Sequence, residues 1–408
     1  MNTIFAERFK FNSLFYYILI FFGLTLLFGC RFGNKKTTKT SDVQVIDILK
    51  SYPKKEIILQ NVAGIEYVPL ETTDDILLSG VCQLAYLSDK YVVVWEPRLG
   101  DIFIFDRNGK IITHFNYRGQ GNREYIITMN VIFDEKNEEI FVFDNPQTRK
   151  ILVYSLTGEY KRTLKYSEDY LNIIAYNFDD DALLVYDETN LFLPEYNKKP
   201  YLFMSKKDGS FVSSLDIFLP VRYHNRTMTQ FELNGQTAYM PFTINAPNNR
   251  YYGQSFLIAD ISSDTIYRLT KNKELTPLII RKPSVHSSEP RKVLTHQFST
   301  DKFMFVNIIT LDFEAAENGR SITNKDLIYE FDTGETSEVS FVNGDYPSSA
   351  WWFPQLGYVE TSPNTVALLE QTPRLKKALE KNQLKGELEK LVEMLDEDDN
   401  PVLMIVKF

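Results

Sequence analysis

A unit of about 50 residues recurs along the chain, and no other feature limits its possible folds so strongly. Residues 129–166, MNVIFDEKNEEIFVFDNPQTRKILVYSLTGEYKRTLKY, hold four short apolar runs separated by clusters of Asp, Asn, Pro and Gly. Runs of strand length broken by turn residues read as an antiparallel four-stranded meander. The preceding segment repeats the scheme as VCQLAYL, YVVVW, DIFIF and KIITHF. A glycine marks the third turn in IFIFDRNGK, ILVYSLTGE, YLFMSKKDGS and LIYEFDTGE, while DTIYRLTKNKEL (264–275) fills the same role without one. Gly109 and Gly158 are 49 residues apart, and Gly158 and Gly209 are 51 apart. A small sheet repeated at this period cannot bury its own faces. Stacking the sheets radially, as blades of a β-propeller, supplies the missing contact.

Five units stand out, at 81–115, 129–166, 172–215, 237–280 and 292–341. A sixth is assembled from both ends of the chain. GYVE and TVALLE supply its inner strands, PVLMIVKF (401–408) a third, and IEYVPLE (65–71) the fourth. Closing the ring this way removes open sheet edges that would pair with other chains. The expected fold is therefore all-β, a six-bladed propeller of four-stranded blades over residues 43–408. One helical insertion is expected near 372–395. Thr372-Pro373 suits a helix start, and Leu388, Leu391, Val392 and Leu395 share a face.

The first 30 residues form a separate device. Arg8 and Lys10 precede an apolar run from Leu14 to Phe28, followed by Gly29 and Cys30. A basic start and an apolar run of about 15 residues match an export signal better than a membrane span. The Leu27-Phe28-Gly29-Cys30 ending resembles the bacterial lipobox, in which the cysteine is lipidated and becomes the new N-terminus. Residues 1–29 are then a signal peptide, and 30–42, polar and basic, a flexible tether. With Cys30 lipidated, Cys82 has no disulfide partner and reads as a buried thiol. A net charge of −9 argues against nucleic acid, whose phosphates need a basic face.

The chain resembles the six-bladed β-propeller lipoproteins of Gram-negative anaerobes, within the TolB-like propeller superfamily. The resemblance rests on EYVPLETT (66–73), on GQGNREY (119–125) where that family often has Gly-Gln-Gly-Pro-Gly-Glu-Tyr, on DTIYRL (264–269) and on DDNPVLMIVKF (398–408). It implies a lipid-anchored propeller and imports no catalytic residues.

NYRGQGNREY (116–125) is the first candidate for chemistry, because Gly119, Gly121, Arg118 and Arg123 suggest a phosphate cradle. A phosphate loop needs a following helix, whereas YIITMNVIF reads as a strand, so the stretch is expected to link two blades. Its glycines are expected to serve a chain reversal at positive φ. The four histidines, His114, His224, His286 and His296, lack ligand spacing. DEDDN (396–400) lacks the alternation of a calcium loop and reads as a solvated turn. No catalytic residue, metal site or cofactor is expected, although a channel-bound divalent cation such as calcium stays open, since a propeller channel gathers residues from several blades. The candidate ligand-binding residues are Trp351 and Trp352 in YPSSAWWFPQ, an aromatic platform, with Arg222 and His224 in LPVRYHNRT as polar counterparts. Packing between blades is the competing reading of the tryptophans.

Long insertions at 187–200, 216–236, 312–326, 342–355 and 371–400 fall on one face, with 243–254 as the one long turn opposite. Loops lengthen at little cost in stability, so their concentration suggests a site there. The functional expectation is a monomeric, membrane-tethered lipoprotein that binds or scaffolds a glycan, peptide or protein without catalysis. The alternative is a lyase or hydrolase acting on a carbohydrate or lactone. Arg31, rather than aspartate, follows Cys30, and the tether lacks an acidic run, which points to the periplasmic side of the outer membrane over the cell surface.

Overall fold

A computed structural model describes residues 43–97, 99–191, 193, 199–233, 236–244, 249–252, 255–287, 289–318, 320, 322–347, 350–351, 359–362 and 364–408. The chain begins with β1 (Gln44–Asp47), β2 (Lys54–Ile58) and β3 (Gly64–Pro69). Blade one is the meander β4 (Gln83–Leu87), β5 (Tyr91–Trp95), β6 (Ile102–Asp106) and β7 (Ile111–Phe115). Blade two is β8 (Asn130–Asp134), β9 (Glu139–Phe143), β10 (Lys150–Ser155) and β11 (Tyr160–Lys165). Blade three is β12 (Ile173–Asn177), β13 (Ala182–Asp187), β14 (Tyr201–Ser205) and β15 (Phe211–Ser214). A separate hairpin follows, β16 (Arg226–Leu233) with β17 (Gln236–Thr243). Blade four is β18 (Asn249–Tyr252), β19 (Ser255–Ile258), β20 (Thr265–Leu269) and β21 (Leu275–Lys282). Blade five is β22 (Arg291–Ser299), β23 (Phe303–Leu311), β24 (Asn324–Glu330) and β25 (Thr336–Val342), with helix α1 (Phe313–Glu317) after β23. A short β26 (Ala350–Trp351) pairs with the end of β25. Blade six is β27 (Val359–Ser362), β28 (Thr365–Glu370), the helices α2 (Thr372–Glu380) and α3 (Gly386–Glu393), β29 (Val402–Lys407) and, as outer strand, β3.

The expected closure is therefore present, with β29 held between β28 and β3 and Ile405 opposite both Ala367 and Glu66. The expected ring has two further strands. β1 runs parallel to β21 on the outside of blade four, and β2 runs parallel to β25 on the outside of blade five. The first three strands are thus a strap around three successive blades, with Ile46 and Ile57 turned into the cores beside blades four and five.

Alternation of side chains explains the uniformly apolar strands. In β5, Val92 and Val94 pack toward blade six, while Val93 and Trp95 pack toward blade two. Both faces are buried, so YVVVW carries no polar position. Six such clusters, one per blade junction, make up the core of the ring.

The marked glycines are the turns from third to fourth strand, with φ of +83° at Gly109, +81° at Gly158 and Gly209, and +71° at Gly334. In blade four Lys273 takes this conformation (φ 64°) and lays its ammonium over the Phe203 ring at 4.3 Å. The turns differ in what surrounds them. A Cβ on Gly109 would collide with the Pro69 carbonyl oxygen, fixed in the closure sheet, whereas one on Gly334 would meet only the Tyr329 hydroxyl at 3.8 Å. Gly334→Ala is expected to cost only the left-handed backbone penalty, about 1 kcal/mol. Gly109→Ala should cost at least about 2 kcal/mol more, and urea denaturation of the two variants reads the difference.

Three expectations need correction. The first strand of blade four is β18, not the stretch at 237, which is the returning arm of the β16–β17 hairpin. Within 243–254, where a long turn was expected, Thr243 ends the hairpin and Asn249–Tyr252 is the inner strand, while 245–248 and 253–254 lie outside the described residues. The helical insertion contains two short helices, because Asn382 (φ 52°) and Gly386 (φ 63°) turn the chain between them. Leu388 and Val392 do share a buried face. Thr372 does not cap; Gln371 precedes the helix, and the Thr372 hydroxyl donates to the Asn400 carbonyl at 2.6 Å.

Candidate functional site

Successive strands of a blade run antiparallel, so the inter-blade links and the loops from second to third strand share a face. In all six blades the second strand ends on, or within two residues of, a carboxylate: Glu96, Asp144, Asp187, Asp260, Asp312 and Glu370. Asp144 accepts from Ile126 N and the Thr148 hydroxyl, both at 2.8 Å. Glu96 accepts from Ser79 N. Asp187 and Asp260 accept from Thr189 N and Ser262 N at 2.8 Å, and Asp312 caps α1 through Ala315 N at 2.9 Å. Glu370 faces Arg374 at 3.7 Å; burial holds its carboxyl above the ordinary glutamate value, against the opposing pull of Arg374. These acids order the loops. The repeat was present in the sequence as an apolar run closing on an acid, and aligning the units on their second strands would have found it.

The link from blade three crosses this face, and it carries Arg222 and His224. Arg222 donates through Nη2 to the Asp187 carbonyl and lies over the Tyr186 ring at 5.2 Å. His224 Nε2 meets the Asn190 side-chain amide at 3.2 Å. Tyr223 N donates to the Ser262 hydroxyl of blade four at 2.8 Å, and its own hydroxyl meets His286 Nδ1 at 2.7 Å beside blade five. The segment is thus fixed to three blades. Arg226, at the start of β16, pairs with Glu188, whose carboxylate also accepts from Asn172 Nδ2 at 2.7 Å. The Tyr201 hydroxyl donates to Asp260 at 3.1 Å beneath the cluster. Burial, and then the Arg222 charge, hold the His224 imidazole below the ordinary histidine value, so it is neutral near pH 7.

Several hydrogen-bonding atoms of the cluster are buried without partners: Arg222 Nε and Nη1, Arg226 Nε and Asn190 Oδ1. A buried polar group left unpaired costs about 1–3 kcal/mol, and most buried groups in native proteins are paired. Four such atoms lie together in this cluster. Arg222 and His224 were legible in the sequence as polar residues of a long loop. Asn190 and Glu188 were not, because they reach the site from the end of β13.

The other candidates lie elsewhere. The Trp351 backbone pairs with Phe341 at the link-side end of blade five's outer strand, while Trp352 and Cys30 lie outside the described residues. In the 116–125 stretch, expected as a link between blades, Gly121 N donates to the Glu124 carboxylate at 2.8 Å, so the chain's own acid stands where a phosphate would have to sit. Gly119 and Gly121 do not adopt positive φ; they are small because Glu124 packs against both α-carbons. Tyr125 anchors the link by donating to the Gly100 carbonyl at 2.6 Å. Among the described residues no group of three His, Cys, Asp or Glu side chains could hold a metal ion. His296 is buried on β22 and meets the Ser299 hydroxyl at 2.7 Å, and His114 meets Asp101 at 2.8 Å.

Cys82 packs beside the core between blades six and one, and burial pushes its thiol up to about 11. It is expected to resist iodoacetamide at pH 7.5 in the native state and to react more than about tenfold faster near pH 9.5, since the thiolate is the nucleophile. Fast labelling at neutral pH would contradict the burial.

Ring, closure and clustered loops define a six-bladed β-propeller related to distant bacterial propeller proteins. The chain belongs to the family described as a domain of unknown function, DUF4934, whose pattern matches residues 43–407. None of the curated proteins matches it. Among solved structures it is similar to a candidate exported protein of Bacteroides fragilis, at 14% identity and TM-score 0.59 over 90% of this chain and 99% of that one. It is also similar to a member of the DUF4221 family from Bacteroides vulgatus, at 11% identity and TM-score 0.44 over 85% and 97% of the two chains. The first likeness shows the fold alone. Among the described residues no helix is long and apolar enough to cross a membrane.

Proposed function

We propose that the protein is a lipoprotein of the TolB-like propeller type, tethered by Cys30 at the periplasmic side of the outer membrane. Its ring binds a glycan, peptide or protein partner on the face where the links emerge, without catalysis. One observation carries the binding reading: the buried, unpartnered atoms of Arg222 and Arg226 on a link that is fixed to three blades, with that of Asn190 beside them at the end of β13. The export signal and the Leu-x-Gly-Cys ending support the tether.

Two experiments test this reading. Cys30→Ser is expected to move the protein from the membrane fraction to the soluble fraction, and protease added to intact cells should leave the wild type uncut. Retention of Cys30→Ser in membranes, or digestion of the wild type, overturns the placement. For the site, Arg222→Met is expected to weaken partner capture at least about tenfold, because hydrogen bonds to a charged group contribute about 1.5–3 kcal/mol, with circular dichroism checking that the variant stays folded. Equal capture by both proteins removes the site.

A further inference from the structure

The junction of blades five and six is not closed on the side of the tight turns. A cavity of about 580 Å³ opens there between the two sheets. Its floor is the end of the apolar cluster that the two blades share. Ile57, Ile328 and Phe341 are buried in it, while Phe303 and Phe408 are only half-buried, so their rings border the open space. These two rings meet edge to face with centroids 5.3 Å apart, and Phe408 also stacks on Phe298 at 5.1 Å.

The sheets are braced on both sides of the cavity. The turn between β22 and β23 is tied to the matching turn of blade six by reciprocal bonds. Asp301 N donates to Asn364 Oδ1 at 2.8 Å, and Asn364 Nδ2 donates to Asp301 Oδ2 at 3.0 Å. On the outer side β2 is held to blade five by its ladder with β25 and by the Lys55–Glu330 pair at 2.5 Å. The space is therefore a fixed feature of the junction, and its volume lies within the range of about 300–1,000 Å³ usual for small-molecule sites.

The rim combines two chemistries. Ile58 and Val62 of the strap are 40% and 44% exposed and form an apolar lip. The charges come from β2 and from two turns of blade five: Glu56, Asp301, Lys302 and Asp332, beside the Lys55–Glu330 pair. Four carboxylates thus stand against two ammonium groups. Lys55 is engaged by Glu330 and Asp301 by Asn364, which leaves Glu56 and Asp332 to meet a ligand, with Lys302 as the one opposing charge. An anion would meet this negative excess. A cation gains from it, and phenylalanine faces favour a cation as well.

We propose that this cavity binds a small organic cation with an apolar body, an alkyl or aryl amine. The body lies against Phe303 and Phe408, and the ammonium group is met by Glu56 and Asp332. The site is separate from the link-side cluster and does not depend on it.

Three probes that share one body and differ in their head group test the assignment: 4-phenylbutylamine, 4-phenylbutanol and 4-phenylbutyrate. Isothermal titration would use the full chain in phosphatidylcholine nanodiscs at pH 7.5, with the heats of empty nanodiscs subtracted. The amine is expected to bind most tightly, with a dissociation constant of about 1 mM or lower, which a ligand of this size reaches at ordinary efficiency. Raising salt from 50 to 500 mM should weaken the amine at least about twofold and leave the alcohol unchanged, since screening acts on the charged head. Glu56→Gln combined with Asp332→Asn should weaken the amine at least about threefold and spare the alcohol. Phe303→Ala should weaken all three probes. If Phe303→Ala does not fold, the paired acid substitution, made at the rim and outside the core, reads the same site. Binding of none of the probes overturns the cavity as a site. Alcohol or butyrate binding as tight as that of the amine overturns the cation class. An amine preference that survives the paired acid substitution places the ligand elsewhere and overturns the assignment.

Discussion

Replacing Ile405 by aspartate is expected to abolish the cooperative unfolding transition at room temperature. Ile405 sits in the middle of β29, the strand that joins the last part of the chain to β3. Its side chain is fully buried in the cluster shared by blades six and one, with Leu403, Ala367 and Phe105. Loss of the apolar side chain alone costs about 2–5 kcal/mol. An unpaired carboxylate adds several more, whether it stays charged or takes up a proton to avoid doing so. The sum, roughly 5–10 kcal/mol, approaches the whole stability of a typical protein, about 5–15 kcal/mol. Ile405→Val, which keeps the chemistry and removes one methyl, should cost only about 1 kcal/mol. Urea titration followed by tryptophan fluorescence, with size-exclusion chromatography for ring opening, separates the two. A native-like transition in Ile405→Asp would mean that β29 is dispensable to the ring.

The second large effect is expected at Lys206, in the turn between the third and fourth strands of blade three. Its ammonium reaches Asp134 of blade two at 2.6 Å, and the two side chains are 5% and 4% exposed. It also donates to the Asp179 carbonyl. The Asp134 carboxylate takes a further bond from Asn137 Nδ2 at 2.8 Å, so the pair is well enclosed by polar neighbours. Lys206→Ala would strand a buried carboxylate and should cost about 3–5 kcal/mol. Removing both charges, as Lys206→Met with Asp134→Leu, should restore most of that loss, because an apolar pair avoids the desolvation that the ions suffer. Chemical denaturation of the single and double variants measures both numbers. A double variant as unstable as Lys206→Ala would mean that the damage comes from the turn itself.

Most of the ring was legible because each blade shows the same physics in sequence. Strands buried on both faces read as apolar runs, as in YVVVW, and turns that need a left-handed residue show a glycine at a constant spacing, as at Gly109 and Gly158. Blade four misled because TAYMPF has the composition of an inner strand, while its partner is the hairpin arm β16 rather than β19. The strap was invisible for a related reason. KKEII in β2 carries three charges and one buried residue, and only a neighbouring blade gives it a partner. At the site, sequence picked out Arg222 and His224 as polar residues of a long link. It had no means of bringing Asn190 to His224, since that contact depends on how the link crosses the end of β13.

The strap also orders events in time. β1 finds its partner only at residues 279–282, β2 at 338–342 and β3 at 402–407. Each of the first three strands made is thus completed by a segment synthesised far later, and the first strand to leave the ribosome cannot be among the first to pair. Only β3 needs the two ends of the chain to meet, and loop-closure entropy opposes all three long-range pairings until the contacts repay it. A growing or threading chain of this design therefore keeps its leading strand uncovered until residues 279–282 are free, and its ring unclosed until residues 402–407 are.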